Sequence, residues 1–356
     1  MFRREVGIPE IPVIYSLTTE ESEIKMSNIT LSAVASLIAE KSRILIITHA
    51  HPDGDTLGSA YGLKHAISKY CDARVICADL IPERLKFITD GETDLRIERL
   101  EDFTPELIVA VDVAEPHLMG SYGEFFAGAI DLKIDHHVNG SEYARYNYIE
   151  GDTAAAGEII YKLVLELELL RSAELSPECA TALYAAISSD TGSFKYTNTR
   201  PSTLRAAADL MELGADTEML NHRLYESKSA NEVVATKLTL NGMNIYRQGT
   251  VVVFSITNKL KESNGLSDED FGGSIDMLRE IDGVELAMTI RQSVDTPEKF
   301  KISMRSSGSI KANELCGLFG GGGHVKAAGA AINAESPESA EYTVIHKVLA
   351  VIGYEA

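Results

Sequence analysis

The first half of the chain alternates short apolar runs with longer amphipathic stretches. The apolar runs have the length of buried strands and occupy residues 43–48, 73–78, 107–112 and 129–134. Helical periodicity covers residues 31–41, 57–70, 153–170 and 177–189, and Thr30 is placed to cap the first helix. Strands that alternate with helices predict a mostly parallel sheet flanked by helices, which is the α/β class.

The pattern changes after residue 200. Residues 200–240 are helical in periodicity, with breaks near Gly214 and Ser227, and a closing helix follows Pro337. Short strands are predicted at 250–256, 284–291 and 300–305. This combination of helices and short strands predicts a second, smaller domain of mixed α/β type.

These changes of pattern divide the chain into four predicted segments. They are a disordered extension at 1–26, an α/β domain at 27–198, a helical linker at 199–240 and a mixed α/β domain at 241–356. Met26 directly precedes a helix start, so the pattern leaves open whether translation begins at Met1 or at Met26.

Composition narrows the classes of function. The formal charge of −20 argues against a binder of duplex or long single-stranded nucleic acid, which needs a broad basic face. It leaves room for a small phosphorylated substrate. No apolar run has transmembrane length and no secretory signal is visible, so we expect a cytoplasmic protein without membrane contact. The four cysteines form no C-x-x-C pair and predict neither a zinc site nor a disulfide framework.

Polar residues that can bind a metal follow three of the predicted strands and end one helix. They are His49, Asp53 and Asp55; Asp112; Asp135, His136 and His137; and Asp190. Taken singly, each group is also compatible with a turn or a helix cap. Because the carboxyl ends of parallel strands share one edge, together they predict an oxygen-rich site. Such a site suits a pair of divalent ions, Mn²⁺ or Mg²⁺, with Fe or Co as alternatives.

The same residues resemble, in order, the four signature motifs of the DHH phosphoesterases. The motifs are His49-x-x-Pro52-Asp53-Gly54-Asp55-x-x-Gly58-Ser59, Asp112, Asp135-His136-His137 and Asp190-Thr191-Gly192. The resemblance runs from about Arg43 to Tyr196 and implies the fold and the metal dependence of that family.

The resemblance also implies a role for each residue. It assigns one metal to His49, Asp53 and Asp112, and the other to Asp55, Asp112, His136 and Asp190. Asp112 is expected to bridge the two metals, and His137 to orient the phosphate or the attacking water, so both are predicted catalytic residues. Asp135 is expected to orient an imidazole from outside the metal ligands. His51 falls at a position that the family leaves variable and is not expected to bind a metal.

A glycine-rich segment marks the second domain. Gly320–His324, followed by Ala327-Ala328-Gly329, resembles the substrate-binding signature of the C-terminal domain that accompanies this family. Glycines can present backbone N–H groups to an anion, so the predicted substrate-binding residues are Gly321, Gly322, Gly323 and His324. Arg305, at the end of an alternating strand, is predicted to hold a substrate phosphate through its planar fork.

The two-domain organisation is similar to that of the NrnA-like members of the family. That similarity implies hydrolysis of short RNA or dinucleotides such as pApA, and of adenosine 3′,5′-bisphosphate, by a water activated between two metal ions. Mn²⁺ is favoured over Mg²⁺ or Co²⁺. A cyclic-dinucleotide phosphodiesterase, a RecJ-like single-strand exonuclease and a DHH-type pyrophosphatase remain as alternatives. A non-enzymatic nucleotide-binding module would have lost a ligand, and all six ligands are present. A helical face within 200–240 is a candidate surface for a homodimer.

Overall fold

The computed structural model describes residues 28–99 and 103–353. The chain forms two units that divide after Ser227. The predicted linker at 199–240 is therefore split between the two units, and the predicted extension at 1–26 lies outside the described residues.

The first unit is a five-stranded sheet with helices on both faces. Its strands are β1 (Arg43–Ile47), β2 (Asp72–Ile76), β3 (Leu107–Val111), β4 (Leu132–Asp135) and β5 (Tyr146–Ile149). Its helices are α1 (Leu31–Ala39), α2 (Gly54–Ile67), α3 (Ser121–Phe125), α4 (Ala156–Leu170), α5 (Pro177–Asp190), α6 (Pro201–Glu212) and α7 (Thr217–Asn221). The strand order is β2-β1-β3-β4-β5, and every pairing is parallel. The predicted parallel α/β fold is confirmed.

One strand of this sheet, β5, has no counterpart in the apolar pattern. Its sequence Tyr-Asn-Tyr-Ile carries a polar residue at its one fully buried position, Asn147. The Asn147 side chain donates to the carbonyl oxygen of Ala144 at 3.0 Å, which satisfies it inside the fold. Tyr146 and Tyr148 pack against the core but are only partly buried, so this strand contributes no continuous apolar run to the sequence.

The central strands are buried on both faces. In β1, Ile44 and Ile46 enter the core shared with α1, α2, α4 and α5, whereas Leu45 and Ile47 enter a separate core on the side of α3. A sheet covered on both faces leaves the strand ends as the place where polar side chains can meet a ligand.

Helices α2 and α5 pack closely because α2 has glycine at three positions of one face, Gly54, Gly58 and Gly62. A Cβ at Gly58 would lie 2.8 Å from the backbone nitrogen of Ala186 and would collide with the carbonyl oxygen of Ala182. Gly58 is therefore a point of close contact between α2 and α5. This packing brings the beginning of α2 next to the end of α5.

The second unit contains a six-stranded mixed sheet. Its strands are β6 (Asn244–Tyr246), β7 (Val251–Ile256), β8 (Leu286–Gln292), β9 (Lys299–Ser306), β10 (Gly322–Gly323) and β11 (Ala327–Asn333). Its helices are α8 (Ala230–Gly242), α9 (Asn258–Asn264), α10 (Ser274–Arg279), α11 (Ala312–Gly317) and α12 (Pro337–Ile352). The order is β10-β11-β9-β8-β7-β6, with β7 and β8 parallel and the other pairs antiparallel. The predicted mixed domain is confirmed.

The strand β9 shows the alternation that the sequence predicts. Phe300, Ile302 and Met304 are buried in the core beneath α11 and α12, while Lys301 is exposed and Arg305 half-buried on the other face. Among the helices of residues 28–99 and 103–353, none combines the length and apolarity needed to cross a lipid bilayer.

Candidate metal centre

The polar motifs that follow β1, β3 and β4 meet at one edge of the first sheet. Because β1 and β4 flank β3, His49 and His136 approach Asp112 from the two neighbouring strands. Asp112 has a φ of +59°, a left-handed conformation that a non-glycine residue adopts at some energetic cost. Such strain is concentrated at functional positions in folded proteins.

His49, Asp53 and Asp112 form one group of atoms that can bind a metal. Nε2 of His49 lies 3.7 Å from Oδ1 of Asp53 and 3.6 Å from Oδ2 of Asp112. Nδ1 of His49 lies 2.8 Å from the carbonyl oxygen of Ala50. A proton on Nδ1 therefore donates to that carbonyl, and Nε2 is left facing the two carboxylates. The resemblance assigns these same three residues to one metal.

Asp55, His136 and Asp190 form a second group. Nε2 of His136 lies 3.7 Å from Oδ2 of Asp55, 3.4 Å from Oδ2 of Asp190 and 3.5 Å from Oδ1 of Asp112. Asp112 thus directs one carboxylate oxygen toward each group. This is the arrangement that a bridging carboxylate requires.

The beginning of α2 positions Asp53 and Asp55. Oδ1 of Asp53 caps the helix by accepting from two backbone N–H groups of the first turn, each at 3.0 Å. Helix α2 begins at Gly54, three residues earlier than predicted, so Asp55 lies in a helical turn and not in a loop. Glycine is required at position 54 because a Cβ there would lie 2.6 Å from the Cβ of Ser189.

Asp55 is fully buried and held by three donors. Oδ1 accepts from Oγ of Ser59 at 3.0 Å and from the N–H of Gly157 at 2.9 Å, and Oδ2 accepts from the N–H of Ala156 at 2.8 Å. The two backbone donors begin α4, whose own N-cap residue, Ala155, has no side-chain acceptor. Asp55 therefore caps α4 from 101 residues earlier in the chain. These partners were not identified from the sequence. Only the contact with Ser59 could have been predicted, because residues four apart on a helix lie on the same face.

Asp135 belongs to neither of these two groups of candidate metal ligands, and its carboxylate contacts the ring of His137. Its Oδ1 lies 2.8 Å from Nδ1 of His137 and also accepts the backbone N–H groups of His136 and His137. Nδ1 of His137 is in addition 3.5 Å from Oδ1 of Asp112. With Nδ1 engaged by Asp135, Nε2 is the ring nitrogen of His137 that can meet a ligand.

Burial and crowded negative charge set the protonation of the centre. Burial, together with the charges of Asp112 and Asp190, raises the pKa of Asp55 well above its ordinary value. Burial, and to a smaller extent the negative charge of Asp112, raise the pKa of Asp190 to about 7. Burial alone would lower the pKa of His49 and His136, but the adjacent carboxylate of Asp112 and the surrounding negative charge outweigh it and raise these pKa values to about 11 and about 10. Buried carboxylates that attract protons so strongly also favour a cation.

Two buried polar atoms at the centre lack a hydrogen-bond partner, and this bears on whether a metal fits. Oδ1 of Asp112 and Nε2 of His136 have no hydrogen-bond partner in the part of the chain that the structure describes. A divalent cation can satisfy a buried carboxylate oxygen and a buried imidazole nitrogen at the same time. Carboxylates and imidazoles are ligands of Mn²⁺, Mg²⁺, Fe²⁺ and Co²⁺. The cluster therefore fits a divalent metal.

His51 stands apart from these groups. It has a φ of +57°, its backbone N–H donates to Oδ2 of Asp79 at 3.0 Å, and its Nδ1 lies 2.7 Å from the same oxygen. It belongs to none of the ligand groups found among the described residues, which are the two above and a third made of Asp112, His136 and His137.

The predicted phosphate-binding residues lie together in the second unit. The sheet register places Arg305 of β9 opposite Ala327 of β11, next to the short pairing of β10 with β11. A Cβ at Gly322 would meet nothing within 4 Å, so this glycine borders open space. A Cβ at Gly321 would strike the backbone of β11, and Gly323 has a φ of +138°. Two of the three glycines are therefore required by the backbone itself.

The backbone N–H groups of this segment are not all free. Those of Gly320 and Gly321 donate to the carbonyl oxygens of Gly317 and Cys316 at 3.1 and 3.0 Å, so the donors expected to face a ligand are already used at these two positions. His324 is exposed, and its backbone pairs with Ala327 in a tight turn.

Arg305 has a neighbour that the sequence did not reveal. Its Nε lies 3.7 Å from Oδ1 of Asp276 on α10. Arg279, on the same helix, places its Nε 3.9 Å from the same oxygen. The two arginine side chains are about equally exposed, 33% and 32%, so they form a matched pair for comparison.

Comparison with known proteins assigns both units. Residues 43–187 match the DHH family, N-terminal domain, and residues 247–351 match the DHHA1 domain. The chain is 30% identical over 315 residues to the bifunctional oligoribonuclease and PAP phosphatase NrnA of Thermus thermophilus, covering 88% of this chain and 91% of that protein.

Two further relatives bear on activity and fold. The chain is 29% identical over 316 residues to the cyclic-di-AMP phosphodiesterase GdpP of Geobacillus thermodenitrificans, covering 85% of this chain but 46% of that protein. Among solved structures, an exopolyphosphatase-related protein from Bacteroides fragilis superposes with a TM-score of 0.81 at 22% identity, covering 90% of this chain and 97% of that one. This last similarity concerns the fold alone.

Proposed function

The chain belongs to the DHH family and is a phosphoester hydrolase, and from that premise we propose that it cleaves short oligoribonucleotides and removes the 3′-phosphate of adenosine 3′,5′-bisphosphate. The observation that carries the proposal is the pair of ligand groups joined by Asp112 at one sheet edge, in a chain that aligns with a named oligoribonuclease and PAP phosphatase over 88% of its length.

The first unit supplies the hydrolytic residues. His49, Asp53 and Asp112 would hold one metal, and Asp55, Asp112, His136 and Asp190 the other, with Mn²⁺ favoured and Mg²⁺ or Co²⁺ as substitutes. When bound, such a metal pair acidifies a water molecule and stabilises the charge that develops on the phosphoryl group. His137 orients the phosphate through Nε2, because Asp135 engages its Nδ1.

The second unit supplies recognition. Arg305 offers a planar fork that can bind one phosphate through two parallel hydrogen bonds. Gly322 borders open space in which a ligand can approach the backbone, and His324 adds an exposed imidazole. A dinucleotide such as pApA and a nucleoside bisphosphate both carry a second phosphate that these groups could bind.

The experiment that tests the proposal is a side-by-side assay of the purified full chain with Mn²⁺. The substrates are pApA, a five-nucleotide RNA, a 24-nucleotide RNA, adenosine 3′,5′-bisphosphate, c-di-AMP and pyrophosphate. We expect rapid turnover of pApA and the bisphosphate and slow turnover of the long RNA. Preference for the long RNA would support a RecJ-like exonuclease, and activity on pyrophosphate alone would contradict the proposal.

A cyclic-dinucleotide phosphodiesterase is the second candidate. It is favoured by the 29% identity to a cyclic-di-AMP phosphodiesterase, although the chain spans less than half of that protein. The c-di-AMP arm of the assay separates the two functions, because a true cyclic-dinucleotide enzyme opens the ring faster than it cleaves pApA.

Replacing Arg305 by alanine tests recognition separately from chemistry. Loss of a charge-assisted hydrogen bond is expected to raise KM for pApA about 10-fold or more, with kcat changed much less. Hydrolysis of bis(p-nitrophenyl) phosphate, which lacks the second phosphate, should be unaffected. Arg279→Ala removes the other arginine beside Asp276 and should leave both substrates unchanged. Equal loss on both substrates in Arg305→Ala would remove Arg305 from the recognition site.

The homodimer stays a prediction. Leu204 and Met211, exposed on α6, lie within the segment that suggested a pairing surface. Light scattering of the purified chain measures the oligomeric state directly.

A further inference from the structure

A fully buried lysine lies behind the candidate metal centre. Lys133 occupies the second position of β4, a strand whose four residues are all buried, and its side chain has no solvent exposure. We propose that Lys133 is a positioning residue for the hydrolytic reaction. Its ammonium group balances the negative charge of Asp135 and fixes the orientation of that carboxylate, which in turn holds the ring of His137. The inference rests on the proposed function of the centre and adds to it a residue outside the metal ligands.

The surroundings of Lys133 are built to hold an ammonium group. Nζ donates to the carbonyl oxygens of Ala114 and Ser141, each at 3.0 Å, and lies over the ring of Tyr143 at 5.1 Å from its centroid. A Cβ at Gly140 would lie 2.9 Å from Nζ and 2.6 Å from the oxygen of Ala114, so glycine leaves the space that the ammonium occupies. The charge is thus accommodated by specific oxygens and not by solvent.

The fourth neighbour of the ammonium is Asp135. Its Oδ2 lies 3.0 Å from Nζ of Lys133, both side chains have no exposure, and Oδ2 accepts no hydrogen bond from the described residues. The ion pair with Lys133 is therefore what balances this oxygen. The other oxygen, Oδ1, lies 2.8 Å from Nδ1 of His137. One continuous contact chain runs from Lys133 through Asp135 to His137.

A purely structural role explains this arrangement poorly. An apolar residue of similar length would fill β4 without the desolvation cost of a buried charge. Buried ion pairs are a weak source of stability but can fix one orientation of the groups they contact. Here the group that is fixed is the carboxylate that determines which nitrogen of His137 faces a ligand.

The test is a double-mutant cycle on the full chain with Lys133→Met, Asp135→Asn and the double variant. Loss of a supporting residue behind an active centre typically costs about 10- to 100-fold in activity, so we expect Lys133→Met to lower kcat on pApA by that factor with little change in KM. In the Asp135→Asn background the same substitution should have almost no further effect. Effects that multiply would show that Lys133 does not act through Asp135 and would overturn the proposal.

A second readout needs no substrate and no metal. In chelator-treated protein labelled with ¹⁵N-histidine, Lys133→Met should shift the ring nitrogen signals of His137, which reports its tautomer and hydrogen bonding. An unchanged His137 spectrum would contradict the proposal. This measurement also separates the two hypotheses, because an inactive wild-type enzyme would refute the proposed function while leaving the His137 result intact.

A buried lysine elsewhere provides the control. Lys261 in the second unit is 5% exposed and pairs with Asp268 at 2.7 Å. Lys261→Met should lower the stability of the protein without changing kcat or the His137 signals.

If Lys133→Met alone does not fold, the comparison of the double variant with Asp135→Asn still tests the proposal. Equal kcat values support it, and a lower kcat in the double variant overturns it.

Discussion

Asp112→Asn is expected to lower the turnover of every phosphoester substrate by at least about 10³-fold, since it removes charge from the residue on which both ligand groups depend. Asp112 contacts His49 through Oδ2 and His136 through Oδ1, at 3.6 and 3.5 Å. Asparagine keeps the shape but offers only one acceptor oxygen. Steady-state kinetics with Mn²⁺ on pApA, adenosine 3′,5′-bisphosphate and bis(p-nitrophenyl) phosphate measure the loss, which should be similar on all three.

In the metal-free protein the same substitution has two opposing effects. The charge of Asp112 raises the pKa of Asp55 and of Asp190, which means that it repels their ionised forms, and it also raises the pKa of His49 and His136, which means that it attracts their protonated rings. Because the loss of the repulsion offsets the loss of the attraction, the melting temperature in chelator should change little. Added Mn²⁺ stabilises the native protein only as far as it binds, and its stabilising effect should largely disappear in the variant.

Asp131→Asn is the matched control for this prediction. Asp131 is a half-buried carboxylate that directly precedes β4, away from the carboxyl edge, and its Oδ2 accepts from the N–H of Ile108 at 2.9 Å. Its replacement should leave kcat close to that of the wild type. If Asp112→Asn retained a tenth of the wild-type activity, the shared role of Asp112 would be wrong.

Gly58→Val is expected to have the largest effect on stability. The new side chain would meet the backbone of α5 at Ala182 and Ala186, which cannot move aside without separating two helices. Overpacking of this kind typically costs about 1–3 kcal/mol, and a clash with backbone on both sides belongs at or above the upper end of that range. Urea unfolding followed by circular dichroism measures the change in the free energy of unfolding.

A second consequence follows from the position of the helices. The start of α2 carries Asp55 and the end of α5 carries Asp190, so separating these helices also separates two predicted ligands. Activity at a temperature where the variant remains folded should therefore fall as well. Gly317→Ala is the control, because a Cβ on this helical glycine meets nothing within 4 Å and alanine favours helix by roughly 0.5–1 kcal/mol. A Gly58→Val variant as stable as Gly317→Ala would refute the packing argument.

Much of the candidate site could be predicted because its residues follow strands. The apolar pattern identifies β1, β3 and β4, and a parallel arrangement brings their carboxyl ends to one edge. His49, Asp112 and His136 then have to be neighbours, whatever the details of the loops. The candidate ligand groups consist of residues that the motifs predict.

Other features depended on contacts that no local pattern records. The start of α2 was predicted three residues late because the capping by Asp53 and the burial of Asp55 place a polar sequence inside the helix. Strand β5 was missed because its buried position is the polar Asn147 and its two tyrosines are only partly buried. In the second unit, the use of the Gly320 and Gly321 N–H groups within the fold was also invisible in the sequence.

By itself, the sequence determined the class of fold, the family and the set of residues at the centre, because period, spacing and residue type are local properties of the chain. Only the tertiary structure decided how those residues are held. Asp55 caps a helix that begins 101 residues later, and Gly54 is required by its close contact with Ser189. The ammonium group of Lys133 donates to the carbonyl oxygens of Ala114 and Ser141. These contacts are set by how distant segments pack, and the free energy of packing depends on positions that a linear pattern does not contain.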